Sequence, residues 1–312
     1  MPIPPTANPK GNLVPDQVLR VQSVLTTRDH LLLEWLTDHG VFTTPQLAHA
    51  LFPSLDFAQH RLARLTALRV VDRFRPFRPD GGSFPFHYVI DQLGAEVVAA
   101  QRDQPPPRPG YAKTNRRRWT AARTLHHRLG VNGFFTDLVG HARTNPDRTL
   151  TRWWPESRCS QTGAFARPSD PVDLHALAAP IRPDGHGIWT THGAQLPFFL
   201  EYDTGTEPLT ELMRKLIGYT QLAAAGGPRW PVLFWLHSAA RAHHLHQHLA
   251  TVALTVPVAT ASRDHATHTG HSPAGPLWQL HGSRGPLTLA DLAAVMPHLA
   301  NHTQGPGCPH QR

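Results

Sequence analysis

The stretch Ile181–Tyr219, IRPDGHGIWTTHGAQLPFFLEYDTGTEPLTELMRKLIGY, decides how the second half of the chain folds. Its pattern predicts a strand, a turn and a second strand with an acidic end, followed by a helix. Asp184 lies at the first turn, and Glu201 and Asp203 close the second strand. Side chains two apart on a strand point to the same face, so the carboxylates of Glu201 and Asp203 can be directed at one point. Asp184 joins them if the strands pair, and three carboxylates around one point favour a hard cation such as Mg²⁺.

The same acidic residues also have a purely structural interpretation. Asp184 and Gly185 can form a hairpin turn, while Glu201 and Asp203 end a strand in solvent. Spacing alone does not decide between a metal site and the polar edge of a sheet. Two further acids are weighed beside them. Glu156 is a candidate for an extra ligand, and Glu207 is interpreted as a partner of the helix dipole.

The length and charge of the chain limit the classes of protein to which it can belong. A chain of 312 residues can form two domains, and its net charge of +8 with a pI of about 10.3 favours a polyanionic partner. We see no secretory signal and no apolar run near the roughly 20 residues of a membrane helix. The two cysteines provide neither a disulfide framework nor a zinc cluster. We therefore expect a cytoplasmic protein without a membrane partner.

Residues 25–102 show the pattern of a winged helix-turn-helix domain. The motif TTP at 43–45 starts the second of three predicted helices, and a Gly-containing turn separates two short apolar runs after the third. A hairpin directly after the third helix is typical of the wing. The helices are predicted at 28–39, 46–51 and 54–69, the strands at 70–75 and 84–90, and a closing helix at 94–101.

The third helix and the hairpin carry polar and basic residues on the side that would meet a DNA groove. Arginine can bridge phosphates and read guanine edges, so this surface predicts contact with double-stranded DNA. The alternative is a winged helix used for dimerisation or protein docking, with arginine only solvating the face. The candidate DNA-binding residues are Gln59, His60, Arg61, Arg64, Arg73, Arg75 and Arg78.

Composition suggests where the domains begin and end. Residues 1–24 are predicted to be a disordered arm, and the stretch 103–118 a semi-rigid linker rich in Pro and Arg. Residues 119–300 alternate helices and strands, which predicts an α/β domain with a central mixed sheet. The tail 301–312 is predicted to be disordered. The RRR run that closes the linker either touches phosphate or begins the next helix.

Within this second domain, several segments have a definite prediction. A helical pattern from Trp119 is either one long helix or two abutting ones. Ser238 is expected to cap a helix that carries His244 and His248, whose spacing can bind a transition metal, although chance pairs are expected among 23 histidines. Strands are predicted at 149–156, 231–236 and 253–258, a loop at 261–276 and a final helix at 287–299.

The order of these elements, with its acids, resembles the PD-(D/E)XK nuclease arrangement. Pro183-Asp184 stands for the PD element and Glu201-Tyr202-Asp203 for the (D/E)XK element, so Asp203 occupies the position of the lysine. The resemblance implies a metal-dependent nuclease in which a lysine assists the attacking water. Lys215, on the following helix, is the candidate to replace that lysine by reaching back, and it would offset developing negative charge.

Several short blocks between about Leu25 and Leu249 stand out together. They include TRD at 27–29, TTPQLA at 43–48, LFP at 51–53, VDRFR at 71–75, RPDG at 182–185, FLEYDTGTE at 199–207, Lys215 and Tyr219. With these blocks, the region resembles the actinobacterial replication-relaxation family. The resemblance implies DNA binding in plasmid or mobile-element maintenance. It does not extend to a relaxase with a histidine cluster, because no His-x-His triplet lies near a candidate tyrosine.

Two functions from different classes follow. In the first, the chain is a DNA-binding protein of plasmid or mobile-element replication or DNA relaxation that nicks DNA with Mg²⁺, using Asp184, Glu201, Asp203 and Lys215. In the second, it is a non-catalytic replication initiator or transcription regulator with a degenerate nuclease fold. Double-stranded DNA is the expected partner, and replication proteins and a second copy of the chain are candidates.

Overall fold

The chain forms two compact units, which divide inside a long helix. The computed structural model describes residues 15–78, 81–176 and 181–297. Unit 1 comprises Met1–Asn132 and unit 2 comprises Gly133–Arg312. None of the helices in the described ranges combines the length and apolar character that a membrane crossing needs.

Unit 1 combines helices with a small antiparallel sheet of strand order β1-β3-β2. Its helices start at capping residues that the sequence supplies. Thr26 and Asp29 form a capping box at one helix, and Thr43 and Gln46 form another. The elements are α1 (Pro15–Gln22), α2 (Thr27–His39), β1 (Phe42–Thr43), α3 (Thr44–Leu51), α4 (Leu55–Ala67), β2 (Val71–Phe74), β3 (His87–Ile90), α5 (Gln92–Gln101) and α6 (Tyr111–Ala121). The predicted helices and the two predicted strands of the hairpin are therefore present.

Two segments of unit 1 differ from the prediction. Residues 15–22 form helix α1 inside the predicted disordered arm, and this helix packs against α5 with Val21 buried. The rest of that arm, residues 1–14, lies outside the described residues. The predicted linker contains the first two turns of α6, and Trp119 packs with Val41, Phe74 and Val89 in unit 1. Trp119 thus belongs to unit 1, whereas the sequence predicts that it opens the second domain.

Unit 2 is built on a mixed six-stranded sheet of order β4-β5-β6-β7-β8-β9 among the described residues. The pairs β4–β5, β5–β6 and β8–β9 are antiparallel, and β6–β7 and β7–β8 are parallel. The predicted α/β class with a central mixed sheet is confirmed. After α7 (Leu125–Arg143), which spans the division, the elements are β4 (Arg148–Pro155), α8 (Glu156–Cys159), α9 (Val172–Ala176), β5 (Gly185–Thr191), β6 (Ala194–Tyr202), α10 (Leu209–Ala224), β7 (Val232–Leu236), α11 (Ala239–Leu249), β8 (Val258–Ser262), α12 (Arg263–Thr269), β9 (Gln279–Leu280) and α13 (Leu289–Val295).

The C-terminal half of unit 2 shows where apolar composition misleads. The strand predicted at 253–258 begins only at Val258 and runs to Ser262, because Pro257, just before it, has no N–H to extend the ladder. The predicted loop 261–276 contains helix α12.

The helical pattern from Trp119 proves to be two helices, α6 and α7, separated at residues 122–124. The predicted disordered tail, 301–312, lies outside the described residues.

An aromatic layer under the sheet fixes the strand that leads from Asp184. Phe135 stacks on Phe198 with ring centroids 6.1 Å apart. A Cβ at Gly185 would lie 2.6 Å from Cε2 of Phe135, so only glycine lets β5 pass this close to the ring. The close contact between Gly185 and Phe135 therefore fixes the position of the start of β5, and with it Asp184, relative to the core.

Candidate functional site

Asp184 and Glu201 lie opposite each other at one end of the β5–β6 pair. Gly185 pairs with Leu200, and continuing this antiparallel register by one residue places Asp184 across from Glu201. The amide of Asp184 donates to Leu200 O at 3.0 Å, and the amide of Tyr202 donates to Oδ2 of Asp184 at 2.8 Å. Directly opposite residues have Cβ atoms roughly 5 Å apart. The sheet therefore brings these two carboxylates together without help from a loop.

Glu201 is buried, with only 2% of its surface exposed. The hydroxyl of Tyr219, on α10, donates to its Oε1 at 2.5 Å. The ammonium of Lys215, one turn earlier on α10, lies 3.0 Å from its Oε2. That oxygen has no well-aligned hydrogen bond among the described residues, so the contact with Lys215 is a close ion pair. One helix thus supplies both partners of the buried carboxylate.

The surroundings of Glu201 shift its titration strongly. Burial, followed by the negative charge of Asp184, raises the pKa of Glu201 to about 7, although Lys215 and Tyr219 act in the opposite direction. Burial opposes the charge on Lys215, but the carboxylates of Glu201 and Asp184 outweigh it and raise the lysine pKa. The ammonium of Lys215 therefore stays charged. Its single positive charge lies near two carboxyl groups, those of Glu201 and Asp184.

Lys215 reaches back to the strand end, as the sequence suggested it could. Its Nζ also lies 3.3 Å from Oε2 of Glu207, in the connection between β6 and α10. The sequence predicts Glu207 to be a partner of the helix dipole, and in the structure its carboxylate also contacts this lysine. The chain has only three lysines against 27 arginines, so a lysine at this point stands out from the composition.

Asp203, the expected third ligand, is held elsewhere. Nε of Arg241 donates to its Oδ2 at 2.6 Å and Nη2 to its Oδ1 at 2.9 Å, so the guanidinium of α11 binds it through two atoms. Arg263 also donates to its backbone oxygen at 2.7 Å. Within the described ranges, no three His, Cys, Asp or Glu side chains form a group suited to a metal. The structure thus brings Asp184 and Glu201 together and leaves Asp203 in a separate ion pair.

The burial of these acids also rules out the structural interpretation in its simplest form. Glu201 and Asp203 do not end the strand in solvent, since they are 2% and 4% exposed. The hairpin turn between β5 and β6 lies instead at residues 192–193, where His192 and Gly193 both have positive φ. Asp184 is therefore at the opposite end of the hairpin from its turn.

A cleft of about 450 Å³ opens beside Glu201. Its walls carry three basic side chains, Arg182, Arg214 and Lys215, together with Tyr219. The sequence predicts no role in the site for Arg182, Arg214 or Tyr219, because their spacing does not show that they line one cleft with Lys215. The cleft is lined by positive charge, with one buried carboxylate in its wall, and suits an anionic group.

Two other metal candidates from the sequence gain no support. Glu156 begins helix α8 and belongs to no group of three or more possible metal ligands among the described residues. His244 and His248 belong to no metal-binding group in the described part of the chain. Between them, His246 faces the sheet and lies 2.7 Å from the hydroxyl of Thr260.

In unit 1, the predicted DNA-binding residues divide into two sets. Arg61 is turned away from solvent: its Nε donates to Oδ1 of Asp29 at 2.9 Å, its Nη2 contacts Oδ2, and the Asp29 side chain is fully buried. The remaining residues of α4 in this set, Gln59, His60 and Arg64, are exposed.

The hairpin arginines are organised by aromatic rings. The guanidinium carbons of Arg73 and Arg75 lie 4.0 and 3.8 Å from the centre of the Phe86 ring. Arg78 lies 5.5 Å from the ring centre of Phe84. Such stacking orders the long side chains before any ligand is bound. Residues 79–80, between Arg78 and Phe84 in the sequence, lie outside the described residues.

Comparison with known proteins places the chain in a family. Neither the curated proteins nor the solved structures gave a match to it. A family model described as replication-relaxation matches residues 33–233, which is more than half of the chain. The match includes the β5–β6 pair with Asp184 and Glu201, as well as Lys215 and Tyr219. This chain belongs to the replication-relaxation family.

Proposed function

We propose that this protein binds double-stranded DNA in plasmid or mobile-element replication or relaxation and that unit 2 nicks DNA in a Mg²⁺-dependent reaction. Family membership suggests the biological setting. The observation that carries the proposed chemistry is the arrangement of Asp184, Glu201 and Lys215 at one end of the sheet. It resembles the PD-(D/E)XK pattern with the lysine supplied from helix α10.

The donor set fits a magnesium ion. Mg²⁺ is commonly held by one or two carboxylates, with waters and substrate phosphate oxygens completing its shell. Asp184 and Glu201 are two such carboxylates, and the raised pKa of Glu201 shows that burial and Asp184 disfavour its charge. A bound Mg²⁺ would supply polarisation of a phosphoryl oxygen and a lowered pKa for a coordinated water.

The side chains around the carboxylates supply the rest of the site. Arg182 and Arg214 line the cleft and would bind and orient the phosphodiester. Lys215, already beside Glu201, would offset the negative charge that develops on the phosphoryl oxygens. Tyr219 would hold Glu201 in position through its hydrogen bond to Oε1.

We propose that unit 1 is a winged helix that places α4 against a DNA groove. Helices α2, α3 and α4 and the sheet of order β1-β3-β2 are consistent with this assignment. Arg64 and the ring-stacked hairpin arginines Arg73, Arg75 and Arg78 are the candidate contacts. Arg61 is left out of that set, because its guanidinium is committed to Asp29.

The nicking function is tested with the full-length protein and supercoiled plasmid. Open-circular product should accumulate with Mg²⁺ and disappear with EDTA. Glu201→Gln should remove the activity, because it removes a carboxylate of the site while keeping its size. If the pure wild-type protein yields no nicked plasmid, or if Glu201→Gln nicks at the wild-type rate, the proposal is wrong.

A second candidate function is a non-catalytic initiator or regulator with a degenerate nuclease fold. The observation in its favour is Asp203, which stands where the motif has lysine and is locked into an ion pair with Arg241. This candidate predicts site-specific DNA binding and unchanged plasmid maintenance in the Asp184→Asn and Glu201→Gln variants.

A further inference from the structure

Helix α6 presents a basic surface, although most of the helix lies in the segment that the sequence predicts to be a linker. Its sequence, YAKTNRRRWTA, contains four basic residues and no acid. Ala112 and Trp119 face inward and are nearly buried. Lys113 and Arg117 are exposed and four residues apart, so they share one face of the helix. The exposed basic residues of α6 are Lys113, Arg116, Arg117 and Arg118.

The helix is fixed to unit 1 by its tryptophan. The indole of Trp119 packs with Phe74 of β2 and Val89 of β3 and lies against Gly40. Any side chain at Gly40 would collide with that ring, and its backbone has a φ of +87°. The basic face of α6 is therefore presented from a rigid position and is not part of a flexible tether.

A cavity of about 350 Å³ joins α6 to the end of α4. Arg69 lies just after α4, and Lys113 and Arg116 come from α6, while Asp72 and Asp91 supply the only acids in its lining. Arg116 lies 3.1 Å from Asp72, and Arg69 lies 3.3 Å from Asp91. In both pairs the arginine is substantially exposed, so each is weakly held and can turn to another anion.

We propose that α6 and Arg69 form a second contact surface for the DNA backbone, with the cavity receiving a phosphodiester next to the segment met by α4. The proposal rests on the proposed binding of DNA by unit 1. Three cations against two acids leave the cavity with excess positive charge, and the outer face of α6 continues that charge. Its continuity with α4 favours a DNA backbone over an isolated phosphorylated peptide, because a backbone presents phosphates at regular intervals.

The test measures how salt affects the affinity of the full-length protein for duplex DNA. The logarithm of the binding constant falls with the logarithm of salt concentration, with a slope of about −0.9 per phosphate contact. The double variant Lys113→Gln/Arg117→Gln should make the slope shallower by about 1.8, and weaken binding equally for unrelated DNA sequences. The thermal midpoint should stay at the wild-type value, because both side chains are exposed.

Two further variants separate the possible outcomes. Arg229→Gln/Arg284→Gln removes the same charge from exposed positions in unit 2 and should keep the wild-type slope. Arg64→Gln/Arg75→Gln tests the proposed groove contacts. If Arg64→Gln/Arg75→Gln weakens DNA binding while Lys113→Gln/Arg117→Gln keeps the wild-type slope, the α6 surface is refuted and the proposed function stands. If the wild-type protein does not bind duplex DNA, both are refuted. A peptide carrying phosphoserine that competes for the α6 surface more tightly than duplex DNA would also overturn the proposal.

Discussion

The ammonium of Lys215 lies 3.0 Å from Oε2 of Glu201, although the lysine is on helix α10 and the carboxylate is on strand β6. This contact places a cation beside the acidic strand end, where the proposed nuclease pattern would have a lysine at the position of Asp203. It also shows that Glu201, and not Asp203, is the carboxylate that pairs with the lysine of helix α10. The contact and the cross-strand position of Asp184 together define the smallest set of residues on which catalysis would depend.

Replacing Lys215 should therefore impair nicking more than it impairs folding. Lys215→Met keeps the length of the side chain and removes the charge, and the nicking rate should fall by about 100-fold, as when a group that stabilises the transition state is lost. Lys215→Arg keeps the charge and should recover part of the rate. The rates are measured by single-turnover nicking of supercoiled plasmid. Wild-type rates for Lys215→Met would show that this cation has no role in the reaction.

Metal binding should depend on pH through Glu201. Because its pKa is raised to about 7, Glu201 is mostly protonated below pH 7 and its proton competes with a cation. Affinity for Mn²⁺, followed by electron paramagnetic resonance, should fall as pH drops from 8 to 6. Removing the Lys215 charge should move this transition to higher pH, because the lysine lowers the pKa of Glu201. A pH-independent affinity over this interval would contradict the assignment of Glu201 as a ligand.

Tyr219→Phe should separate positioning from chemistry. The change removes the hydroxyl that donates to Glu201 at 2.5 Å and leaves the ring that packs against Phe199. Loss of a hydrogen bond to a buried carboxylate costs about 1–3 kcal/mol of stability. The pH transition of Mn²⁺ binding should also shift upward, since this hydrogen bond lowers the pKa of Glu201. A purely structural tyrosine would change the thermal midpoint and leave that transition in place.

Arg61 and Arg75 should behave differently, although the sequence alone predicts both as DNA contacts. Arg61→Gln leaves the buried carboxylate of Asp29 without its cation and should cost about 3 kcal/mol, the lower end for broken buried pairs, because Thr26 still donates to it. Arg75→Gln, at an exposed position, should leave the thermal midpoint unchanged and weaken DNA binding. Denaturation and fluorescence anisotropy on the same preparations measure both effects. Equal stability of the two variants would contradict the structural role of Arg61.

Local signals in the sequence predict much of this fold. Thr26, Thr43, Ser54 and Ser238 each begin a helix where a capping residue precedes an apolar pattern. Strand β7 is equally clear, because a short continuous apolar run is typical of a buried strand. Asp184, Glu201 and Lys215 could be selected because each stands at a definite point in the pattern of strands and helix.

The remaining features depend on contacts between distant residues. Nothing near Asp203 in the sequence shows that Arg241 binds it, and nothing near Arg61 shows that Asp29 does. The Pro-rich segment before α6 resembles a linker because its few apolar residues give no periodic pattern. Trp119 can anchor α6 to unit 1 only because Gly40, which is far from it in the sequence, leaves space for the indole ring. These tertiary contacts override local composition.

The most direct test of the central claim compares three carboxylate variants in Mg²⁺-dependent nicking of supercoiled plasmid. Asp184→Asn and Glu201→Gln alter the cross-strand pair. Asp147→Asn removes an exposed carboxylate just before β4, and the β4–β5 register places it at the far end of the hairpin from Asp184. We predict that Asp147→Asn nicks at the wild-type rate, while Asp184→Asn and Glu201→Gln produce no open-circular DNA above the EDTA control. Equal nicking by all three variants would contradict the assignment of this site.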